Sequence, residues 1–454
     1  MKLPDHVFRE YDVRGVVETD LVPDFVTALG RALGTAFRRE GATRVAVARD
    51  VRPSGEALRD QLVEGLRSTG CDVVDLGAVP TGVFYHAQAT GDEQAGVVIT
   101  GSHNPPEFNG FKIVLGGASF FGEQIQGLRT LIENEDFETG EGGRSQRDAL
   151  GPYVDDVVSR VSIARPVRFA YDSGNGAASL AAARLFAALG QSPVALYDEP
   201  DGSFPNHHPD PTIPEYVEDL RRRVLADGLE FGVAYDGDAD RIGVIDDRGE
   251  ILWGDRLLVL FARDLLARTP GAQVLHDVKC SRTLTDAVNA AGGEAVVWKT
   301  GHSLIKQKMK ESGALLAGEM SGHLFLGENW YGFDDALFAT VRLLEILARD
   351  DTPLSARLAD VPQLHATPEI RVDCPDDVKF AVVDHVREHF RAIAPIVDID
   401  GVRVTFDEGW GLVRASNTQP ALVVRVEASD AEHLARYRAQ VEAAIDAART
   451  AVEG

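Results

Sequence analysis

The chain has 454 residues, 44% of them hydrophobic and 26% charged, which is typical of a globular protein with two to four domains. Its formal net charge of −25 opposes nucleic acid and anionic membranes as partners. The sequence has no apolar run near the roughly 20 residues that cross a bilayer, no apolar signal core and no CxxC pair, so we expect a cytoplasmic protein without a membrane partner, a disulfide framework or a zinc site.

Apolar runs and runs of helical spacing alternate along most of the chain. Strands are predicted at 44–48, 71–76, 95–99, 167–171, 231–235, 242–245, 273–278, 294–298, 314–317 and 324–326. Helices are predicted at 53–69, 177–189 and 281–291, and a polar, Gly-rich stretch at 138–147 breaks the pattern. This alternation is typical of an α/β fold whose parallel sheets are covered on both faces.

The C-terminal part of the chain has a different pattern. Helices are predicted at 375–389 and 431–452, and strands at 402–406 and 422–426. These elements indicate a smaller α+β domain.

The first polar loop, Thr100–Pro105, reads Thr-Gly-Ser-His-Asn-Pro and follows the predicted strand at 95–99. Ser102 and His103 therefore lie just past the carboxyl end of a strand, where α/β enzymes place their chemistry. Neighbouring Ser and His residues in a loop also occur as helix caps. The loop is a candidate for a reactive serine, with capping as the alternative.

The second polar loop, Asp236–Arg241, places three carboxylates at alternate positions between two predicted strands. Such carboxylates repel one another without a cation, and their oxygens suit a hard ion such as Mg²⁺. The calcium-binding EF-hand needs Gly and Glu where this chain has Arg241 and Asp247, so we reject it. Arg241 is suited to hold a phosphate or a carboxylate with two donors. An exposed acidic turn is the alternative.

Two further loops offer groups that bind sugars and phosphates. Gly318–His323 supplies a carboxylate, a hydroxyl and an imidazole, which bind sugar hydroxyls or transfer protons. Arg414–Pro420 supplies a guanidinium, two hydroxyls and an amide, a compact set of donors for a phosphate. A plain turn is the alternative for the first loop, and helix capping for the second.

The remaining signals are weaker. Gly174–Ser179 lacks the third glycine of a dinucleotide fingerprint, so a tight turn between a strand and a helix is the better interpretation. Lys279 and Gly301–Ser303 are either anion contacts or surface residues. The chain has no Walker A sequence and no GxSxG elbow.

Several segments together carry a resemblance to a known family. They are Tyr11–Gly15, Thr100–Pro105 with Gly110–Ile113, Asp236–Arg241, Asp277–Cys280, Thr300–His302, Gly318–His323 and Gly409–Pro420. In this order they resemble the motifs of the α-D-phosphohexomutase superfamily, and the match is close to its phosphomannomutase/phosphoglucomutase branch. The resemblance covers essentially the whole chain.

The resemblance implies three α/β domains with mixed or parallel sheets and a smaller C-terminal α+β domain, arranged around a central active-site cleft. It implies that each domain contributes one signature loop. The expected domains are 1–150 with the phosphoserine loop, 151–254 with the metal-binding loop, 255–366 with the sugar-binding loop and 367–454 with the phosphate-binding loop.

The resemblance also implies a role for individual residues. Ser102 matches the phosphoserine, and its phosphate completes the coordination of Mg²⁺ by Asp236, Asp238 and Asp240. The other expected catalytic residues are Arg14, His103, Lys112 and His302. Arg14 and Lys112 would stabilise the transferred group, while Lys112, His103 or His302 would transfer protons. The expected substrate contacts are Tyr11, Arg241, Lys279, Glu319, Ser321, His323, Arg414, Ser416, Asn417 and Thr418.

The expected activity is the interconversion of hexose 1-phosphate and hexose 6-phosphate, with a hexose 1,6-bisphosphate as intermediate and activator. Met320 favours mannose and glucose phosphates, because phosphoglucosamine mutases usually have Gln in that position. A phosphoglucosamine mutase and a non-catalytic sugar-phosphate-binding protein are the alternatives. We expect a phosphosugar as the partner and a monomer or a weak homodimer.

Overall fold

In a computed structural model, the described residues, 3–416 and 420–453, form four sheets that follow one another along the chain. The first sheet has the order β1-β5-β4-β2-β3-β7, with β6 beside β5. Its strands are β1 Val13–Val16, β2 Arg44–Arg49, β3 Asp72–Ala78, β4 Ala95–Ile99, β5 Phe108–Leu115, β6 Ala118–Ser119 and β7 Arg144–Gln146. The helices of this region are α1 Pro23–Arg39, α2 Gly55–Ser68, α3 Thr81–Thr90, α4 Glu123–Glu133 and α5 Leu150–Arg160.

The second and third sheets repeat the same plan, with parallel strands on one side and antiparallel strands at one edge. The second sheet, in the order β12-β11-β10-β8-β9, has β8 Phe169–Asp172, β9 Val194–Leu196, β10 Phe231–Tyr235, β11 Ile242–Asp246 and β12 Ile251–Leu252, with helices α6 Ala182–Ala188 and α7 Glu218–Asp227. The third sheet, in the order β14-β13-β15-β16, has β13 Gln273–Asp277, β14 Glu294–Trp298, β15 Leu316–Gly318 and β16 Leu324–Leu326. Its helices are α8 Gly254–Arg268, α9 Arg282–Ala290, α10 His302–Ser312, α11 Ala336–Leu347 and α12 Leu354–Arg357.

The fourth sheet is antiparallel, as expected for an α+β domain. Its strands are β17 His365–Ala366, β18 Ile370–Asp373, β19 Ile396–Val397, β20 Val402–Phe406, β21 Gly409–Ala415 and β22 Ala421–Ala428. Two helices, α13 Lys379–Arg391 and α14 Ala431–Glu453, complete the domain. The predicted fold class is confirmed.

The first three domains share a continuous apolar core, while the C-terminal domain has its own. The shared core includes Tyr153, Phe169 and Phe338, and the core of the C-terminal domain includes Val413 and Tyr437. Burial of this apolar surface is the main term that stabilises both parts. The C-terminal domain is therefore attached to its neighbour through a distinct interface.

That interface centres on Trp410, which lies between two arginines. The Cζ atom of Arg403 is 3.8 Å from the centre of the Trp410 ring, and that of Arg425 is 5.9 Å away. The same two arginines donate hydrogen bonds of 2.7 to 3.0 Å to the carbonyls of residues 278–280. Because those carbonyls belong to the loop after β13, the hydrogen bonds from the C-terminal domain fix the position of the segment that contains Lys279.

Of the elements that differ from the sequence prediction, three have a clear local cause. The helix predicted at 177–189 is divided at Ala181, whose φ of −130° leaves the helical region. The helix predicted from 375 begins at Lys379, because residues 375–378 form a turn instead. Arg144–Gln146 forms an exposed edge strand whose polar side chains lack the alternation that predicts a strand. Among the described residues, no helix is both long and apolar enough to cross a membrane.

Candidate active site

The polar loops meet at one centre because each follows the carboxyl end of a strand. Ser102 follows β4, and loop 236–241 joins β10 to β11. Loop 319–323 joins β15 to β16, and an isolated β-bridge pairs Arg241 with His323. The loops of the first three domains are thus in direct contact.

Ser102 points at the second loop. Its Oγ donates a 2.8 Å hydrogen bond to Asp236 Oδ2 and lies 3.1 Å from His103 Nδ1. Its backbone has a φ of 48°, in the left-handed region that non-glycine residues seldom adopt. The backbone N–H donates to Thr100 Oγ1 at 2.8 Å, which fixes the turn.

The three aspartates form a buried cluster. Asp236, Asp238 and Asp240 are all 0% exposed, and each offers an oxygen within 4.8 Å of the others. Lys112 Nζ donates to Asp238 Oδ2 at 2.6 Å and also to Asp240. The Oδ1 atoms of Asp238 and Asp240 are buried without a hydrogen-bond partner. Buried, unpaired carboxylate oxygens are what a hard divalent cation coordinates, so these residues fit Mg²⁺.

Local geometry brings the carboxylates together. Ala239 has a φ of 59°, and Asp236 Oδ1 accepts the backbone N–H groups of Asp240 and Arg241 at 3.0 and 3.1 Å. Thr81 donates its hydroxyl to Asp238 Oδ2 at 2.8 Å. Burial, followed by the charges of Asp240 and Asp238, raises the pKa of Asp236 well above its usual value. Burial and mutual repulsion therefore both disfavour three ionised carboxylates at this point unless a cation is bound.

Arg241 leads from this cluster to the third loop. Its Nε donates to His323 Nε2 at 2.9 Å, so the ring proton of a neutral His323 lies on Nδ1. That Nδ1 is 3.2 Å from Asp334 Oδ2, and Asp334 Oδ1 accepts from Lys306 Nζ at 2.9 Å. Burial opposes ionisation of Asp334, but Lys306, His323 and His302 together outweigh it and hold the pKa of that carboxyl well below its usual value.

The predicted proton-transfer residues differ in charge. Burial, and then Arg241 and Arg14, lowers the pKa of His103 well below its usual value. Burial and then Lys306 does the same to the pKa of His302. Burial also opposes the charge of Lys112, but its aspartate partners raise its pKa well above the usual value. At neutral pH both imidazoles are neutral, and Lys112 is a cation.

A second group of predicted residues surrounds β13 and the third loop. Gly301 N–H donates to Glu319 Oε1 at 2.7 Å, and Met320 N–H donates to Asp277 Oδ1 at 3.4 Å. Lys279 Nζ is 3.2 Å from Glu369 Oε2, a residue of the C-terminal domain. Ser321 is partly exposed on the same loop. Glu319 and Lys279 are mostly buried, so only a small part of these polar side chains faces solvent.

The loop of the C-terminal domain reaches the same region. Arg414 Nε donates to Asp400 Oδ2 at 2.9 Å, and the same oxygen accepts the Thr300 N–H at 3.0 Å. Tyr11 donates its hydroxyl to the Thr300 carbonyl at 2.9 Å. The carbonyl of Ser416 accepts a 2.5 Å hydrogen bond from Lys379. Predicted residues Asn417 and Thr418 lie outside the described residues.

Arg14 lies on β1 and donates two hydrogen bonds to Asp12, at 2.5 and 3.0 Å. The sequence interpretation missed Lys306 and Asp334, which contact the predicted His323. The acidic pair Asp334-Asp335 precedes an apolar helix, and Asp335 does cap that helix. The pair therefore looks like an ordinary cap, and its second role depends on contacts that no local pattern reveals.

Family models match all four parts of the chain. Residues 5–139, 151–249 and 253–365 match the phosphoglucomutase/phosphomannomutase alpha/beta/alpha domains I, II and III, and residues 369–444 match the C-terminal domain. The exact boundaries predicted above, at 150, 254 and 366, stay predictions.

Similar proteins cover nearly the full chain. A phosphomannomutase/phosphoglucomutase of Pseudomonas aeruginosa is 47% identical over 96% of this chain and 94% of its own length. A phosphoglucomutase of Neisseria gonorrhoeae is 43% identical over 97% and 96%. The crystal structure of a phosphoglucomutase/phosphomannomutase family protein from Burkholderia thailandensis has a TM-score of 0.92 at 45% identity, covering 99% of this chain and 98% of its own.

The fold, the clustered loops and these similarities define an enzyme of the phosphosugar mutase class, an isomerase. The non-catalytic alternative is thereby set aside. More specifically, the chain belongs to the phosphoglucomutase/phosphomannomutase family.

We expect the metal-free protein to bind one Mn²⁺, a paramagnetic substitute for Mg²⁺, at the three aspartates. The Asp238→Asn variant should bind Mn²⁺ at least about 10- to 100-fold more weakly. A loss of that size is typical even when the altered residue only hydrogen-bonds to a metal ligand. Titration followed by electron paramagnetic resonance measures this affinity.

The matched control is Asp246→Asn, which alters a buried carboxylate at the other end of the same hairpin. It should bind Mn²⁺ like the unmodified protein. Equal affinity of all three proteins would exclude the aspartate cluster as the metal site.

Chelation with EDTA should also abolish activity, and Mg²⁺ should restore it.

Proposed function

We propose that this protein interconverts the 1-phosphates and 6-phosphates of mannose and glucose through phosphorylated Ser102 and a hexose 1,6-bisphosphate. The observation that carries the proposal is the Ser102 hydroxyl, 2.8 Å from one of three buried aspartates, the other two of which bind the Lys112 cation. The names of the 43–47% identical relatives support mannose and glucose over glucosamine. A cytoplasmic location and a monomer or weak homodimer belong to the proposal.

In the first half-reaction, the free hydroxyl of a hexose monophosphate attacks the phosphorus of phosphoserine 102. The bond from phosphorus to Ser102 Oγ breaks, a bond to the sugar oxygen forms, and the sugar hydroxyl loses its proton to a base. The product is the 1,6-bisphosphate. In the second half-reaction, Ser102 takes back the other phosphate, and the proton returns to the released sugar oxygen.

Phosphoryl transfer depends mainly on positioning and on neutralising charge. Mg²⁺ held by Asp236, Asp238, Asp240 and the Ser102 phosphate would supply positive charge at the transferred group. Lys112, which is held by Asp238 and Asp240, would add a fixed cation there, and Arg14 on β1 would add a second. Because His103 and His302 are neutral at neutral pH, their free lone pairs favour them over Lys112 as the proton acceptor.

The sugar and the phosphate that does not react need their own contacts. Glu319, Ser321 and His323 would bind sugar hydroxyls, with Tyr11 and Arg241 beside them. The non-reacting phosphate would be held by Arg414, Ser416, Asn417 and Thr418, with Lys279 nearby. Since the bisphosphate must turn end for end, the C-terminal domain has to open and close over the cleft.

Intact-mass measurement of the purified protein should show one phosphate after incubation with hexose 1,6-bisphosphate. The Ser102→Ala variant should show none and should lose turnover, because no oxygen remains to carry the phosphoryl group. Ser173→Ala, which alters a buried serine of the second domain, is the control. Normal turnover by Ser102→Ala would rule out the two-step transfer.

Mannose and glucose phosphates should both be substrates, while glucosamine 6-phosphate should have a kcat/KM lower by about 10-fold or more. The motivation is Met320, whose side chain packs partly against the apolar core. Met320→Gln should raise the relative efficiency with glucosamine phosphate, and Met320→Leu should not. An unmodified protein that prefers glucosamine phosphate would overturn the assignment.

Arg414→Ala should weaken substrate binding by roughly 10- to 150-fold, because a charge-assisted phosphate contact contributes about 1.5–3 kcal/mol. Phosphorylation of Ser102 and binding of Mn²⁺ should remain unchanged. Steady-state kinetics and small-angle scattering measure the affinity and the compaction on adding substrate. Arg387→Ala, on the surface of the same domain, is the control. Unchanged KM and kcat in Arg414→Ala would exclude this loop as the anchor.

A further inference from the structure

Arg52 is a fully buried cation beneath the Ser102 loop, outside the residues assigned above. Its side chain is 0% exposed, although it is long and charged. The guanidinium donates four hydrogen bonds of 2.5 to 2.9 Å to backbone carbonyls of one short segment. The acceptors are the carbonyls of Ser102, Asn104, Pro105 and Phe108.

A single carboxylate balances this charge and holds the same loop. Asp50 Oδ2 lies 3.3 Å from Arg52 Nε and accepts the Gly101 N–H at 3.2 Å. Its other oxygen accepts the Arg52 N–H at 2.9 Å. Because an unpaired buried charge is costly, Asp50 stabilises the Arg52 cation in this position.

The packing around the guanidinium leaves little room for movement. A Cβ atom on Gly101 would lie 2.5 Å from Arg52 Cζ, so only glycine fits there. On the other side, a Cβ on Gly202 would lie 2.4 Å from Arg52 Cα, and the Phe204 ring centre is 5.2 Å from Cζ. Arg52 is thus enclosed between the Ser102 loop and a segment of the second domain.

We propose that Arg52 is a positioning residue that holds Ser102 in its left-handed backbone conformation, with Oγ directed at Asp236. The inference rests on the proposed function, since it assigns the Ser102 hydroxyl as the group that carries the phosphate. Arg52 contacts carbonyls and not the reacting atoms. Its planar fork of five N–H donors serves four carbonyls at once, which the single ammonium of lysine does not.

The test compares Arg52→Lys with Arg59→Lys, which alters an arginine of α2 that pairs with Asp60 and Asp75. Phosphorylation of Ser102 by hexose 1,6-bisphosphate is followed by intact mass, and kcat and KM are measured separately. Arg52→Lys should lower both the phosphorylation rate and kcat by about 100-fold, as expected for a displacement of about 1 Å, with KM nearly unchanged. Arg59→Lys should match the unmodified protein.

Two further measurements separate positioning from general stability. Arg52→Lys should bind Mn²⁺ with unchanged affinity, because the aspartates are not altered, and its crystal structure should show Ser102 outside the left-handed region. Loss of Mn²⁺ binding together with kcat would indicate a merely structural role and overturn the proposal, as would an unchanged phosphorylation rate.

If Arg52→Lys does not fold, Asp50→Asn provides the decision. It removes the counter-charge while keeping the shape, and it should slow phosphorylation by about 10-fold with KM unchanged. Normal phosphorylation in this variant would overturn the proposal. Absence of phosphate on Ser102 in the unmodified protein would instead contradict the proposed function itself.

Discussion

Three buried carboxylates at one point are the constraint on which the rest of this structure depends. Asp236, Asp238 and Asp240 are removed from water, and carboxylates are retained in such a place only with positive charge and hydrogen-bond donors around them. Lys112 reaches them from β5 of the first domain, and Thr81 from the start of α3. The site therefore exists only when the first two domains are packed together.

Burial and charge together explain why the neighbouring groups differ in protonation. The aspartate partners of Lys112 outweigh its burial and hold it as a cation, whereas burial, and then nearby cations, lowers the pKa values of His103 and His302 and keeps both neutral. A fixed positive charge and two neutral bases therefore lie close to the acidic cluster. Transfer of a phosphoryl group together with a proton requires both a cation and a proton acceptor.

The sequence was sufficient for the parts of the site that depend on local pattern. An apolar run followed by a polar loop predicts a strand end, so Ser102 and the loops at 236–241 and 319–323 were predicted from the chain alone, and the resemblance supplied their individual roles. Contacts between distant elements were not predictable in this way. Arg52 and Lys306 resemble ordinary surface charges in sequence, and only the packing of the segment after β2 and of α10 turns them inward. The edge strand at 144–146 was missed because its neighbours, not its composition, define it.

The Asp400 carboxylate accepts a hydrogen bond from Arg414 and another from the backbone N–H of Thr300 in the third domain. It therefore binds the same Arg414 side chain that we propose as the contact for the substrate phosphate. If Arg414 binds the phosphate as proposed, an incoming sugar phosphate would have to compete with Asp400, and a dianion with three acceptor oxygens would have the advantage over a monoanion. A sugar acid that carries only a carboxylate would offer Arg414 no more than Asp400 already does. Under the proposed function, Asp400 would therefore favour phosphorylated sugars over sugar acids by charge alone.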